Sequence, residues 1–171
     1  MNLFRWRMAA LLAMVLGLIA APVGAQDLLG GHIGVVFPLV THGDGQTTTI
    51  ADNFSIGVPV GITVRGTGHL AFDLELVPTV TDTPRNVSFT VQPGLLWDLG
   101  HRFTAGMRIA FDVGSSQWGY EPLLRRSWPI RGANFFKAYF VEADMPVRFS
   151  QPTGGRSIDT FTFAMHFGLG F

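Results

Sequence analysis

Large apolar residues return at every second position through most of this chain. In the segment 157–171 they stand at Phe161, Phe163, Met165, Phe167, Leu169 and Phe171, with Thr160, Thr162, Ala164, His166, Gly168 and Gly170 between them. Successive side chains of a β-strand point to opposite faces, so a period of two gives one greasy face and one small or polar face. The same rhythm runs through 31–40 (Ile33, Val35, Phe37, Leu39) and 53–65 (Phe54, Ile56, Val58, Val60, Ile62, Val64). It continues through 69–80, 86–99 and 102–113, and again through 134–149 with Tyr139, Val141, Met145, Val147 and Phe149. Alternation over so many segments is a strand signal, not chance.

One further segment, 118–128, alternates poorly and puts Arg126 on the apolar face. It is read as a strand because a barrel with both termini on one side needs an even number of staves. Connector lengths agree. Those after the second, fourth and sixth strands (66–68, 100–101, 129–133) are short. Those after the first, third, fifth and seventh (41–52, 81–85, 114–117, 150–156) are mostly longer and turn-rich. The predicted fold class is all-β, an eight-stranded antiparallel up-and-down transmembrane β-barrel forming a single domain over 26–171.

Composition narrows the setting. The chain of 171 residues opens with Arg5 and Arg7, an apolar run over 8–21, and Ala-Pro-Val-Gly-Ala-Gln. That order reads as a secretory signal peptide over 1–25, cut after Ala25, because the apolar run is short of the roughly 20 residues a spanning helix needs. The mature region 26–171 holds 10 basic against 12 acidic residues and no basic run, which gives no footprint for nucleic acid. There is no cysteine, so disulfides and thiolate metal sites are excluded.

The faces are assigned by charge. The apolar face is nearly free of ionised groups, with Lys137 as an exception, while the other face carries most of the strand charges. Aromatics gather near strand ends (Phe54, Trp97, Phe103, Trp118, Trp128, Phe149, Phe171), as in the girdles of membrane barrels. Both observations turn the greasy face outward to lipid and make the lumen polar. The opposite arrangement, a soluble lipocalin-like barrel with a greasy interior, is the competing reading.

With the signal peptide, the strand rhythm and the terminal Met165-His-Phe-Gly-Leu-Gly-Phe171, the chain resembles the small eight-stranded bacterial outer-membrane proteins of the A, X and W types. The resemblance covers the region after the signal peptide and holds at the level of the class. It implies an outer-membrane location, a monomer, and contact with outer-membrane lipid and lipopolysaccharide. It also implies that the barrel-assembly machinery reads the C-terminal signal Phe167, Leu169 and Phe171.

Turning the polar face inward places Asp73, Glu75, Asp112, Glu121, Glu142 and Asp144 in the lumen with Arg102, Arg108, Arg125 and Arg148. Burying such charges is costly unless they pair, so a salt-bridged network filling the lumen is expected, with a narrow ion path as the rival. Inward glycines leave space for water or bend the strands. His32 and His166 fall on the first and last strands, which meet at closure. As two ligands without a third, they do not define a metal site. No serine stands beside a histidine in a nucleophile motif, so no catalytic residue and no cofactor is assigned, and a lipid-modifying enzyme is the weaker alternative.

Overall fold

The computed structural model describes residues 28–66, 68–132, 135–150 and 158–171. The expected signal segment with its cleavage site at Ala25, and all but the first residue of the expected connector 150–156, lie outside the described residues.

Eight antiparallel staves close into a barrel. They are β1 (Leu29–Gly43), β3 (Ser55–Gly57) with β4 (Val60–Arg65), β5 (Leu70–Thr81), β6 (Asn86–Gly100), β7 (Phe103–Asp112), β8 (Trp118–Pro129), β9 (Ala138–Asp144) with β10 (Val147–Ser150), and β11 (Ile158–Gly170). Each stave pairs with its neighbour in sequence, and β1 pairs with β11 to close the ring, His32 opposite Gly170 and Gly43 opposite Thr160. One strand, β2 (Gln46–Thr49), lies beyond the ring and pairs only with the end of β1.

The staves are strongly staggered. A path across the ladder leaves Leu28 for Arg65, then passes through Ala71, Leu96, Gly106, Leu123, Asp144 and Ala164 to Pro38, ten residues further along the same stave (38 − 28). Ten residues of rise over eight inter-strand spacings tilt the strands by about 40° from the barrel axis.

Two staves predicted as continuous are interrupted, each at a proline that has no N–H to give to the ladder. The second breaks at Val58–Pro59, where the Pro59 carbonyl still accepts from Gly34 N–H at 3.0 Å. The seventh breaks at Met145–Pro146, where the Pro146 carbonyl accepts from Thr162 N–H at 2.9 Å. The seventh stave also begins at Ala138, not at residue 134. Phe135 and Phe136 do not alternate there but pack on the Phe171 ring, with centroids at 5.0 and 6.5 Å. Residues 41–52, read as loop from sequence, extend β1 into a hairpin with β2. Its two-residue turn, Asp44 (φ 50°) and Gly45 (φ 73°), is left-handed at both positions, as such hairpins require.

The poorly alternating segment is β8. Arg126 points outward among rings, with its guanidinium 5.0 Å from the Phe103 centroid and 5.2 Å from that of Trp128. Charge lies inside and grease outside: Asp73, Glu75, Arg108, Glu121, Glu142, Asp144, His32 and His166 are buried, while Ile33, Ile62, Leu95, Met107, Phe111 and Phe167 are exposed.

Candidate functional site

Each inward position on a tilted stave presents a side chain to the lumen, and one guanidinium there is shared by four carboxylates. Arg108, on β7, is fully buried. Its Nε donates to Asp73 Oδ2 at 3.0 Å, and Nη2 forms ion pairs with the same oxygen at 3.0 Å and with Glu75 Oε2 at 3.2 Å. Its Nη1 faces Glu121 Oε1 at 3.3 Å and Glu142 Oε1 at 3.0 Å. Four carboxylates from three staves, β5, β8 and β9, thus share one planar cation, whose five donors suit bidentate pairing.

The remaining partners extend outward from that centre. Arg125 donates from Nε to Glu142 Oε2 and lies 4.2 Å over the Phe140 ring. His32 Nε2 is 2.6 Å from Glu75 Oε2, and His166 Nδ1 is 3.2 Å from Glu142 Oε1. Arg148 reaches Glu121 Oε2 at 3.3 Å, and Gln92 donates to the same oxygen at 3.2 Å. Thr63 caps Asp73 Oδ1 at 2.7 Å. The two histidines meet, with ring centroids 5.9 Å apart, and Phe140 packs edge-to-face against both.

Glycines opposite these side chains accept them. A Cβ at Gly34 would stand 2.5 Å from His166 Nε2, and one at Gly94 would stand 2.6 Å from Arg108 Cγ. These inward glycines therefore admit neighbouring side chains, and do not simply hold water space.

Two residues expected in the network are placed elsewhere. Arg102 sits in the β6–β7 turn with φ 70°, after Gly100 (φ 77°) and His101 (φ 52°), and is exposed at the barrel mouth. The chain reverses one residue later than the alternation suggests, so Arg102 stands in the turn and lines the mouth of the lumen, away from the ion-paired centre. Asp112, at the far end of β7, accepts from Thr90 Oγ1 at 2.7 Å and stands apart from the arginine cluster. The other ten expected lumen residues are brought together.

The sequence reading missed an apolar share of the lumen: Val77, Leu96, Ala110, Leu123, Phe140 and Ala164 are all buried. The signal was present in the doublets Leu95-Leu96, Leu123-Leu124 and Phe140-Val141, where alternation lapses because both faces are apolar. No protein-family model matches the chain, and no curated protein sequence matches it.

Cavities lie on either side of the cluster, with no lining residue in common. One of about 590 Å³ opens where the short turns are, and is lined by Arg65, Arg102, Arg125, Lys137, Leu96 and Phe140 among others. The other, of about 180 Å³, lies toward the β2 hairpin and is lined by Glu75, Gln92, Glu121, Asp144, Arg148 and His166, with apolar and threonine neighbours. The lumen is therefore richer in cations at one end and in anions at the other. Neither His32 nor His166 is bonded to a hydroxyl nucleophile, since both face carboxylates.

Proposed function

We propose that the protein is an integral bacterial outer-membrane β-barrel, closed to flow by its own ion pairs, with a structural role and surface loops for adhesion or lipopolysaccharide contact. The observation that carries this reading is the inside-out distribution of polarity. Apolar side chains such as Leu95 and Met107, each about half exposed, cover the outer face, while charges fill the interior. A soluble chain rarely exposes so much contiguous grease. Among the described residues no helix is long and apolar enough to cross a membrane. In lipid every backbone group must be paired within the protein, and a closed ring of strands meets that demand.

Aromatic clusters support the same reading. Trp118 and Tyr120 pack on Phe149 at one end of β8, and Trp128 stacks on Tyr139 at the other, 5.2 Å apart. Ten residues of strand, tilted by about 40°, separate the two clusters by about 25 Å along the axis, the height of the apolar band in barrels of this kind. The terminal Phe167 and Phe171 face outward, open to the assembly machinery that the resemblance implies.

The fully buried Arg108 cluster favours a plug over a passive channel, and the charged interior leaves little for a lipocalin-like lipid cavity. The test is migration of the unboiled against the boiled membrane fraction on a denaturing gel. A membrane barrel stays folded in detergent until boiled and migrates differently in the two states. Identical migration, with release into the soluble periplasm, overturns the reading. Ion conductance in planar bilayers separates plug from channel.

A further inference from the structure

The described lumen cluster carries more buried acid than buried arginine. Asp73, Glu75, Glu121, Glu142 and Asp144 face three arginines, Arg108, Arg125 and Arg148, an excess of two acids when the adjoining His32 and His166 are counted as neutral imidazoles. Removing unbalanced carboxylates from water costs several kcal/mol for each ion, so a cation that closes the deficit is strongly favoured.

The geometry supplies a place for one. Glu75, Glu142 and His166, from β5, β9 and β11, each offer a ligating atom, and these atoms lie within 4.8 Å of one another. All three residues are almost wholly buried. Asp144 stands beside them, its Oδ2 4.0 Å from His166 Nδ1. Two polar atoms of this group have no hydrogen-bond partner: Asp144 Oδ1, in a residue 3% exposed, and His166 Nε2, in a residue 1% exposed. Glu75, Asp144 and His166 also line the 180 Å³ cavity, so an ion has a route from the end of the barrel that carries β2.

A second group, His32, Asp73 and Glu75, has the same spacing. It is less apt. Asp73 is bonded through both oxygens, Oδ1 to Thr63 and Oδ2 to Arg108, whereas Asp144 beside the first group keeps Oδ1 without a partner.

We propose that the lumen binds one divalent first-row transition-metal ion through His166, Glu75 and Glu142, with Asp144 as the neighbouring acceptor. One imidazole with carboxylates suits Zn²⁺ or Mn²⁺, whereas Ca²⁺ and Mg²⁺ prefer oxygen alone. The ion supplies the two positive charges that the buried acids lack and tethers three staves across the barrel. This inference does not depend on where the barrel resides.

The test titrates Zn²⁺ into purified, metal-stripped, folded protein in detergent, reading stoichiometry by calorimetry and the unfolding temperature in parallel. One ion per chain with a rise in unfolding temperature is expected, and about a tenfold or larger loss of affinity in both His166→Gln and Asp144→Asn. The triple variant H42Q/H69Q/H101Q, which removes exposed histidines, should keep the site. Absence of a zinc-dependent shift in the wild-type protein, or a shift of wild-type size in both lumen variants, overturns the proposal. Zinc-edge absorption on the wild-type protein decides the matter if the variants do not fold. One imidazole with oxygen ligands supports the site, and two or more imidazoles, whether from surface histidines or from His32 with His166, overturn it.

Discussion

The His32 ring occupies the space that a side chain at Gly61 would need. The two residues pair across β1 and β4, and a Cβ on Gly61 would stand 2.5 Å from His32 Nε2 and 2.7 Å from Nδ1. Because Glu75 fixes the imidazole from the adjacent β5, the ring has little room to yield.

Gly61→Ala should therefore destabilise the barrel by about 1–3 kcal/mol, the usual cost of overpacking. Gly170→Ala is the matched control, because its added Cβ would meet nothing nearer than 3.7 Å. Denaturant unfolding of both variants in detergent checks this. Equal midpoints would mean that His32 does not pack on Gly61.

Arg108 and Arg148 are predicted to differ sharply in worth. Arg108→Met would leave four carboxylates around a vacated centre, and losing one partner of a buried pair costs about 3–5 kcal/mol. Arg148 touches one carboxylate, Glu121, and is 15% exposed, so Arg148→Met should cost no more than about 2 kcal/mol. Thermal unfolding of the two variants ranks them, and a reversed or level ranking would rule out Arg108 as the hub.

The sequence made the barrel legible because its two faces look onto unlike surroundings, and a period of two records that contrast. What it did not reveal is stagger. Whether His32 and His166 meet depends on a ten-residue offset that no single strand encodes, since it arises from the sum of all eight pairings. Ion-pair partners were hidden for the same reason: Arg108 meets Asp73 two staves away and Glu142 two staves away on the other side. Pro59 and Pro146 were visible as residues, yet their effect was not, because a proline carbonyl can hold the ladder while its nitrogen interrupts it. Arg102 was displaced by a single residue of turn, which moves it from the strand to the rim of the lumen, away from the carboxylates.

The outer hairpin gives a prediction in pH. Asp52 accepts from both the backbone N–H and the hydroxyl of Thr49, each at 2.8 Å, and these bonds hold its carboxyl below the ordinary value of 3.8. A lowered folded value means that the bond is complete above the ordinary carboxylate range and is lost as pH falls through the lowered value. The Thr49 amide resonance should therefore stay constant through mild acid, with its transition centred below pH 3.8. A midpoint at or above that pH would show that the turn leaves Asp52 free, and Asp52→Asn should abolish the transition.

The proposed location is tested most directly on the outer face at mid-height. Met107, in the middle of β7, is 47% exposed and pairs with Leu95 and Pro122, so nothing in the barrel covers it. In a bilayer an arginine at that depth costs about 2–4 kcal/mol, whereas near the interface the cost falls to about 0–1 kcal/mol. Val113, one residue past the end of β7 and 61% exposed, supplies the shallow comparison. Met107→Arg should thus lower folding stability in lipid vesicles well beyond Val113→Arg, and the gap should narrow when hydrocarbon thickness is reduced with shorter-chain lipids. In water the order would not arise, because an exposed arginine replacing an exposed methionine costs almost nothing there. Equal stability of the two variants in vesicles would mean that hydrocarbon does not surround this barrel, and the apolar outer face would then need a protein partner to cover it.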